Sequence, residues 1–373
     1  MKRIIYITIL ALMLLAACTK PSPAPAPAPE HFSKYIFFSH SVETKAPLVE
    51  SAGDIGTFGV VGFKYDSNTD WAKYSTTTVN GKLPTPNVFY DPVTDPATKK
   101  VTNELVNVET VSVDGTHNDN EAIIGTASYT PLQGWSNSKK YAFFAFYPTP
   151  DENVTLVNLD EENTPYSGGV PAIKYTNPTF DVEKMKDVMT ANCYTDLFWK
   201  SSTEGGNNIP SGEVNFKFDH KLSCLEVRVK ESSAASINIT DFTLTLSGVQ
   251  YEGIIIPLNG DNNKLITSQS ATHSISLPLI SREISLGPEF QNIGDLLLIP
   301  QDDNISISLN VDYSRKYGDN TPVNANFTTS TPFTTTLIKG TKHFLQLDFG
   351  DKNVYVMQSS SGWDEKNVKH EFN

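Results

Sequence analysis

The residue with the clearest chemistry in the sequence is Cys18, which ends the run Leu15-Ala16-Ala17-Cys18. Lys2 and Arg3 precede an apolar stretch over residues 4–15, which is too short for a stable membrane-spanning helix and is typical of a bacterial secretory leader. Small residues directly before a cysteine resemble the lipobox cleaved by lipoprotein signal peptidase, after which the thiol carries a diacylglyceryl group. Because each buried methylene contributes about 0.8 kcal/mol, acyl chains on Cys18 would hold the chain at a membrane surface. The other interpretation, an ordinary leader with a cysteine near its cut by chance, leaves the small residues unexplained.

No other set of residues has the spacing that catalysis or metal binding requires. The seven histidines are scattered and include no His-Glu-x-x-His pair, and the chain lacks a Gly-x-Ser-x-Gly elbow and a Gly-rich phosphate loop. The acidic stretches 114–121 and 160–162 are better explained as turns than as calcium sites. His220 and His343 fall on apolar strand faces, where a hydrogen-bonded core histidine is expected rather than a ligand. We therefore expect no enzyme activity, no cofactor and no metal.

Two further cysteines, Cys193 and Cys224, could pair in the oxidising cell envelope. Whether their Cα atoms come within about 7 Å cannot be read from sequence. Cys193 precedes an apolar segment and Cys224 lies within one, which favours two buried thiols. A disulfide between them is the alternative.

Three aromatic residues in a Thr- and Asn-rich region, Trp71, Tyr74 and Tyr90, suggest a second kind of chemistry. Flat exposed rings stack on sugar faces, so a monomeric surface lipoprotein that binds glycans is the alternative function. Aromatic residues are also common in sandwich cores and at subunit interfaces, and this reading carries more weight.

Composition limits the classes of protein that can present these residues. The 373 residues are 39% hydrophobic and 19% charged, a globular profile long enough for two domains. The net charge of −13 argues against nucleic acid as a partner. After the leader, no apolar run reaches the length that a transmembrane helix needs.

The elements that position these residues are predicted to be β-strands. Apolar and polar residues alternate over 214–222, 242–246, 305–311 and 343–349, which places the apolar side chains of each segment on one face. Turn residues recur about every ten positions, as in an all-β sandwich. The one helical candidate spans residues 182–191, and a change of face predicts a β-bulge near Cys224.

The sequence is predicted to divide into four segments. Residues 1–17 form the lipoprotein signal peptide, and residues 18–34 form a tether in which alternating proline favours an extended chain. A polar, Gly-rich stretch divides the rest into an N-terminal β-sandwich over residues 35–205 and a C-terminal β-sandwich over residues 206–373.

An ordered series of short motifs resembles the fimbrillin family of the Bacteroidales, which contains major and minor type V pilins and their anchor proteins. Each motif is weak by itself, but together they follow the family order behind a lipobox. The matching segments are Thr44-Lys45-Ala46, Gly53-Asp54-Ile55-Gly56, Trp135 with residues 141–148, Lys186-Asp187-Val188-Met189, residues 216–222, Ile299-Pro300-Gln301 and Gly362-Trp363.

The resemblance implies two transthyretin-like β-sandwich domains in tandem, exported as a lipoprotein. In such pilins a protease cuts after a basic residue, the first strand leaves with its lipid, and a strand from the next subunit fills the groove. The partners would be other fimbrial subunits, joined by donor-strand exchange.

Carried onto this chain, the removable strand is Tyr35 to Ser39 and the cut lies between Lys45 and Ala46. The family pattern has arginine more often at this position, so an arginine-specific protease would not cut here. If no cut occurs, the resemblance implies an anchor that keeps its lipid and its first strand, and the sequence leaves shaft subunit and anchor open.

Overall fold

Strands account for most of the described chain. The computed structural model describes residues 36–42, 58–79, 83–84, 86–88, 90–94, 101–105, 125–127, 133–136, 138–157, 172–176, 180, 185–198, 212–250, 254–257, 266–267, 273–362 and 368–370. The first twelve strands are β1 Phe37–Val42, β2 Gly59–Asp66, β3 Tyr90–Thr94, β4 Val101–Leu105, β5 Gly125–Ala127, β6 Lys139–Tyr147, β7 Val154–Val157, β8 Ala172–Tyr175, β9 Met189–Ala191, β10 Tyr194–Leu197, β11 Glu213–His220 and β12 Ser223–Glu231. The others are β13 Ser236–Val249, β14 Ile254–Pro257, β15 Ile266–Thr267, β16 His273–Pro278, β17 Ile284–Ser285, β18 Gln291–Leu298, β19 Gln301–Lys316, β20 Val323–Thr328, β21 Phe333–Leu337, β22 Thr341–Phe349, β23 Val354–Gly362 and β24 Val368–His370.

The strands form several sheets, and the largest holds β1. Its order is β10-β6-β9-β11-β1-β5, and β2 pairs with β6. A five-stranded sheet has the order β18-β12-β22-β23-β24, and a six-stranded sheet has the order β16-β13-β19-β20, with β17 on β13 and β21 on β19. Two smaller sheets are β15-β14-β8-β7 and β3-β4. The expected all-β sandwich class is confirmed.

Two hydrophobic clusters form the core, and β6 contributes to both. Its successive residues Phe143 and Phe144 point to opposite faces, so Phe143 joins a smaller cluster with Phe38 and Phe216, whereas Phe144 joins a larger cluster that extends to Phe349. This explains why the run Tyr-Ala-Phe-Phe-Ala-Phe is apolar at every position, because a strand buried on both faces does not alternate. The seven-stranded sheet is therefore covered on both sides along β6.

The predicted change of face near Cys224 has a different origin from a bulge. The alternating segment is two strands: β11 ends at His220, and β12 begins at Ser223 in another sheet. A register shift does occur in β12, but between Val227 and Arg228. The division into residues 35–205 and 206–373 stays a prediction, and β11, which follows the expected boundary, pairs with β1 and β9.

The predicted helix over residues 182–191 is wrong, because Met189–Ala191 forms β9, which pairs with β6 and β11. The helix of the described chain is α1, Trp71–Thr76, whose N-cap Asp70 accepts a hydrogen bond from the backbone N–H of Lys73 at 2.8 Å. Within the described ranges, no helix combines the length and the apolarity needed to cross a membrane.

Candidate functional site: the groove of the first strand

The first strand, β1, lies inside the seven-stranded sheet and not at its edge. It runs parallel to β11 from the pair Phe37 and Glu213 to the pair Val42 and Phe218, and its other side pairs with β5 in antiparallel fashion. Just before and at its start, the N–H of Ile36 donates to the carbonyl of Gln133 at 2.8 Å, and the N–H of Phe37 donates to the carbonyl of Gly212 at 3.0 Å. Strands distant in sequence therefore hold β1 on both sides.

The inward face of β1 enters an aromatic slot. Phe38 is 1% exposed, and its ring stacks on Phe216 at 5.4 Å and meets Phe143 edge-on at 5.5 Å between centroids. His40 is fully buried, and its ring lies 5.0 Å from that of Phe58 and 6.4 Å from that of Phe218. We call the space that β1 fills, between β11 and β5 and over these four phenylalanines, the first-strand groove.

The opposite face of β1 carries Phe37, which is half-buried, and two serines, which are buried. Ser39 is 1% exposed and Ser41 is 4% exposed. The hydroxyl of Ser39 has no hydrogen-bond partner among the described residues. A buried hydroxyl without a partner costs about 1–3 kcal/mol, so β1 does not fill its position optimally.

The aromatic motif found in the sequence forms one end of the groove. Trp135 Nε1 donates to the carbonyl of Gly212 at 3.1 Å, and its ring lies 4.9 Å from that of Tyr141. Tyr141 donates its hydroxyl to the carbonyl of Gly134 at 3.2 Å and accepts from the N–H of Ser136 at 2.9 Å. Burial raises the pKa of Tyr141. This network fixes the segment that pairs with Ile36.

Two other motif residues, Asp187 and His220, meet where the chain leaves β11. Asp187 Oδ2 and His220 Nδ1 lie 2.8 Å apart, and both side chains are almost completely buried. Burial raises the pKa of Asp187, which the hydrogen bond to His220 opposes. The expectation of a hydrogen-bonded core histidine at 220 is confirmed. In the part of the chain that the structure describes, no three potential ligands are grouped to hold a metal ion.

The residues predicted for lipidation and cleavage lie outside the described ranges. Cys18 is far from β1 in sequence, whereas Lys45 and Ala46 follow the last residue of β1, Val42, within four positions. Cys193 and Cys224 are free thiols, and burial raises the pKa of Cys224 well above its ordinary value. The favoured interpretation of two buried thiols is confirmed for Cys224, whereas Cys193 is only half-buried.

Two of the aromatic residues considered for glycan stacking, Trp71 and Tyr74, are only partly exposed. Trp71 packs 5.1 Å from the ring of Phe63, and Tyr74 stacks on Tyr65 at 4.7 Å. Both pack against the larger core cluster. Tyr90 begins β3, and its side chain lies outside the described part. Trp71 and Tyr74 are therefore partly buried, and the glycan-binding alternative stays a prediction.

Sequence reasoning also missed part of the groove. The expected strand, Tyr35 to Ser39, ends before His40, whereas β1 continues to Val42. The signal was present, because Phe38, His40 and Val42 alternate with serines, but a polar Ser-His-Ser run is not recognisable as buried from local sequence.

Comparisons with known proteins place this geometry in a family. The model of the fimbrillin-like family matches residues 88–361. A crystal structure of a fimbrial protein from Bacteroides vulgatus matches with a TM-score of 0.55 and 19% identity, over 89% of this chain and 100% of that one. The fimbrial anchor protein Mfa2 from Porphyromonas gingivalis matches with a TM-score of 0.33 and 10% identity, over 91% of this chain and 100% of that one. A search of curated proteins finds no match.

Proposed function

The chain belongs to the fimbrillin-like family, and on that premise we propose that it is a structural or anchoring subunit of a cell-surface fimbria, assembled by strand exchange and supporting adhesion. The observation that carries the proposal is the position of β1. A strand that comes early in the chain, yet lies between β11 and β5, leaves a long apolar groove when it is removed. The family is one of structural proteins, which supports the expectation that this protein is not an enzyme.

The contacts of β1 explain why an empty groove would bind a strand strongly. Removal of β1 uncovers the rings of Phe143, Phe216 and Phe58 together with the unpaired backbone of β11. An incoming strand regains the backbone hydrogen bonds and the buried apolar area in a single step. An apolar residue at the position of Ser39 would also avoid the unpaired hydroxyl, which favours such a donor over one with serine there.

The proposed donor is the C-terminal segment over residues 353–363 of a neighbouring subunit. In this structure its strand β23 pairs with β22 along nine residues, from Val354 opposite Phe349 to Gly362 opposite Thr341. Donation therefore requires that β23 first leave β22. Without a cut, β1 would also have to leave its groove before the donor can enter. We therefore expect exchange to be slow until cleavage empties the groove.

Processing in this proposal uses the two predicted sites before and after β1. Lipid on Cys18 holds the precursor at the outer membrane, and cleavage between Lys45 and Ala46 releases the lipid and β1 together, because both lie on the N-terminal side of the cut. A subunit of the shaft is cut, whereas an anchor keeps Cys18 and β1. The division of the chain into two tandem sandwiches is part of the same proposal.

The test is the N-terminal residue and intact mass of the protein in sheared fimbriae and in the membrane fraction of a Bacteroidales host. A shaft subunit begins at Ala46 in denaturant-resistant polymers, and Lys45→Gln abolishes that product while the matched variant Lys45→Arg retains it. An acylated Cys18 on chains that co-purify with fimbriae identifies an anchor. Chains that are absent from fimbriae in every fraction contradict the proposal.

A further inference from the structure

A cavity of about 280 Å³ lies away from the first-strand groove, between β21 and β23. Its apolar lining includes Leu225 and Ile307, which are completely or almost completely buried. Ile338 adds an aliphatic side chain that is 55% exposed. The cavity thus offers an apolar surface that is open to solvent at Ile338.

The two strands add neutral polar groups. β23 contributes Gln358, Ser359 and Ser360, and β21 contributes Thr334 and Thr335. The side chains of these five residues form no hydrogen bond with any other residue that the structure describes. Because successive side chains of a strand point to opposite faces, Gln358 and Ser360, which share a face with His343, are the β23 side chains that can reach a ligand in the cavity.

The lining carries no formal charge in the described chain. His343 is its one titratable residue; it is 6% exposed, and burial lowers its pKa to about 4, so the imidazole is neutral at neutral pH. Its Nε2 accepts a long hydrogen bond of 3.5 Å from the N–H of Ile338. A charged ligand would lose its hydration here without gaining a counter-charge, which disfavours phosphates, carboxylates and amines.

We propose that this cavity binds one neutral sugar unit. A pyranose ring has an apolar C–H face, which fits the exposed aliphatic side chain of Ile338, and equatorial hydroxyls, which can pair with Gln358 and Ser360. The volume lies just below the range of about 300–1,000 Å³ for drug-sized ligands, as expected of a monosaccharide. Because Gln358 and Ser360 lie in the segment proposed as the donor, the site exists only in a chain whose β23 stays paired with β22, and in this respect the inference rests on the proposed function.

The test is saturation-transfer NMR on the full chain, purified in detergent, with the methyl glycosides of glucose, galactose, mannose, fucose and N-acetylglucosamine as probes. Methyl glucuronide is the charged counterpart of methyl glucoside. Gln358→Ala removes a cavity amide that makes no contact needed for folding. Gln346→Ala is the matched control, since it makes the same change in β22 outside the cavity lining.

We expect at least one neutral glycoside to bind the wild-type chain and Gln346→Ala equally. Gln358→Ala should bind roughly tenfold more weakly, the value of one lost hydrogen bond. Four results overturn the proposal: no neutral glycoside binds, glucuronide binds as well as glucoside, Gln358→Ala binds as tightly as wild type, or Gln346→Ala loses binding to the same extent. Fimbriae that assemble normally alongside any of these results leave the proposed function standing.

Discussion

Phe38→Ala should affect the uncut precursor, in which β1 fills the first-strand groove, but not assembled fimbriae, in which a donor strand fills it. Phe38 is 1% exposed and contacts the rings of Phe216 and Phe143. Removing a buried phenylalanine ring costs about 3–5 kcal/mol, the sum of lost burial and the cavity left behind. Phe38→Ala and Phe216→Ala should therefore lower the free energy of unfolding of the uncut precursor by similar amounts.

Assembled fimbriae should distinguish the two variants. If β1 has been replaced by a donor strand, Phe38 is absent from the fibre, and Phe38→Ala does not alter the resistance of fibres to denaturant. Phe216 lies in β11, which forms the wall of the groove, so Phe216→Ala should weaken the fibre as well as the precursor.

The assay is urea unfolding of the precursor, followed by tryptophan fluorescence, together with the urea concentration that depolymerises fibres of each variant. Equal weakening of the fibre by Phe38→Ala and Phe216→Ala would refute the reasoning, since it would mean that β1 stays in its groove after assembly. Unchanged precursor stability in Phe38→Ala would refute the packing argument itself.

Three further changes test single contacts. Because burial holds the pKa of His343 at about 4 instead of 6.5, folding stability should fall by about 3 kcal/mol between pH 6.5 and pH 4, and His343→Gln should lack this part of the loss in urea titrations at each pH. At Gly59 an added Cβ would lie 2.1 Å from a ring atom of β6, so Gly59→Ala should destabilise the chain by about 1–3 kcal/mol, whereas Gly287→Ala, with 3.5 Å to its nearest neighbour, should change the thermal midpoint little. Asp187→Asn and His220→Gln should each lower the free energy of unfolding, and a double-mutant cycle should give a coupling energy of about 0.5–3 kcal/mol. Additive effects would contradict an energetic interaction between the two side chains.

Local alternation was sufficient to predict strands such as β11. Val214, Phe216 and Phe218 are buried, and the residues between them are less so, because a period of two places them on one face of the sheet. The aromatic segment over residues 141–148, which the family resemblance identified as a strand, is largely β6, Lys139–Tyr147.

Long-range contacts decided the features that sequence reasoning missed. The chain changes sheets at Lys221 and Leu222, where the N–H of Lys221 donates to Val188 and the carbonyl of Leu222 accepts from Gly340. Neither partner is close in sequence, so no local pattern distinguishes this break from a bulge. The failed helix over residues 182–191 has the same cause, because pairing with two strands overrides local propensity.

The inward packing of Trp71 is likewise a tertiary outcome. Asp70 begins a short helix that turns the indole ring toward Phe63 and Phe144. From sequence, an aromatic residue in a polar region is also compatible with an exposed platform, although packing in a core or at an interface carries more weight. Only the neighbouring strands show that the ring has a partner inside the protein.

The most direct test of the central claim is a reversible lock on β1. Ser39 and Asn215 are paired residues of the parallel strands β1 and β11, so Ser39→Cys with Asn215→Cys places two thiols side by side. The control lock is Thr245→Cys with Ser276→Cys, whose hydroxyls lie 2.8 Å apart across β13 and β16, which are not exchanged. The measurement is the yield of fimbriae from each oxidised precursor before and after addition of reductant. Strand exchange predicts that the oxidised Ser39–Asn215 lock gives no fibres until it is reduced, while the control assembles throughout. Fibres built from chains with the Ser39–Asn215 disulfide intact would contradict the account.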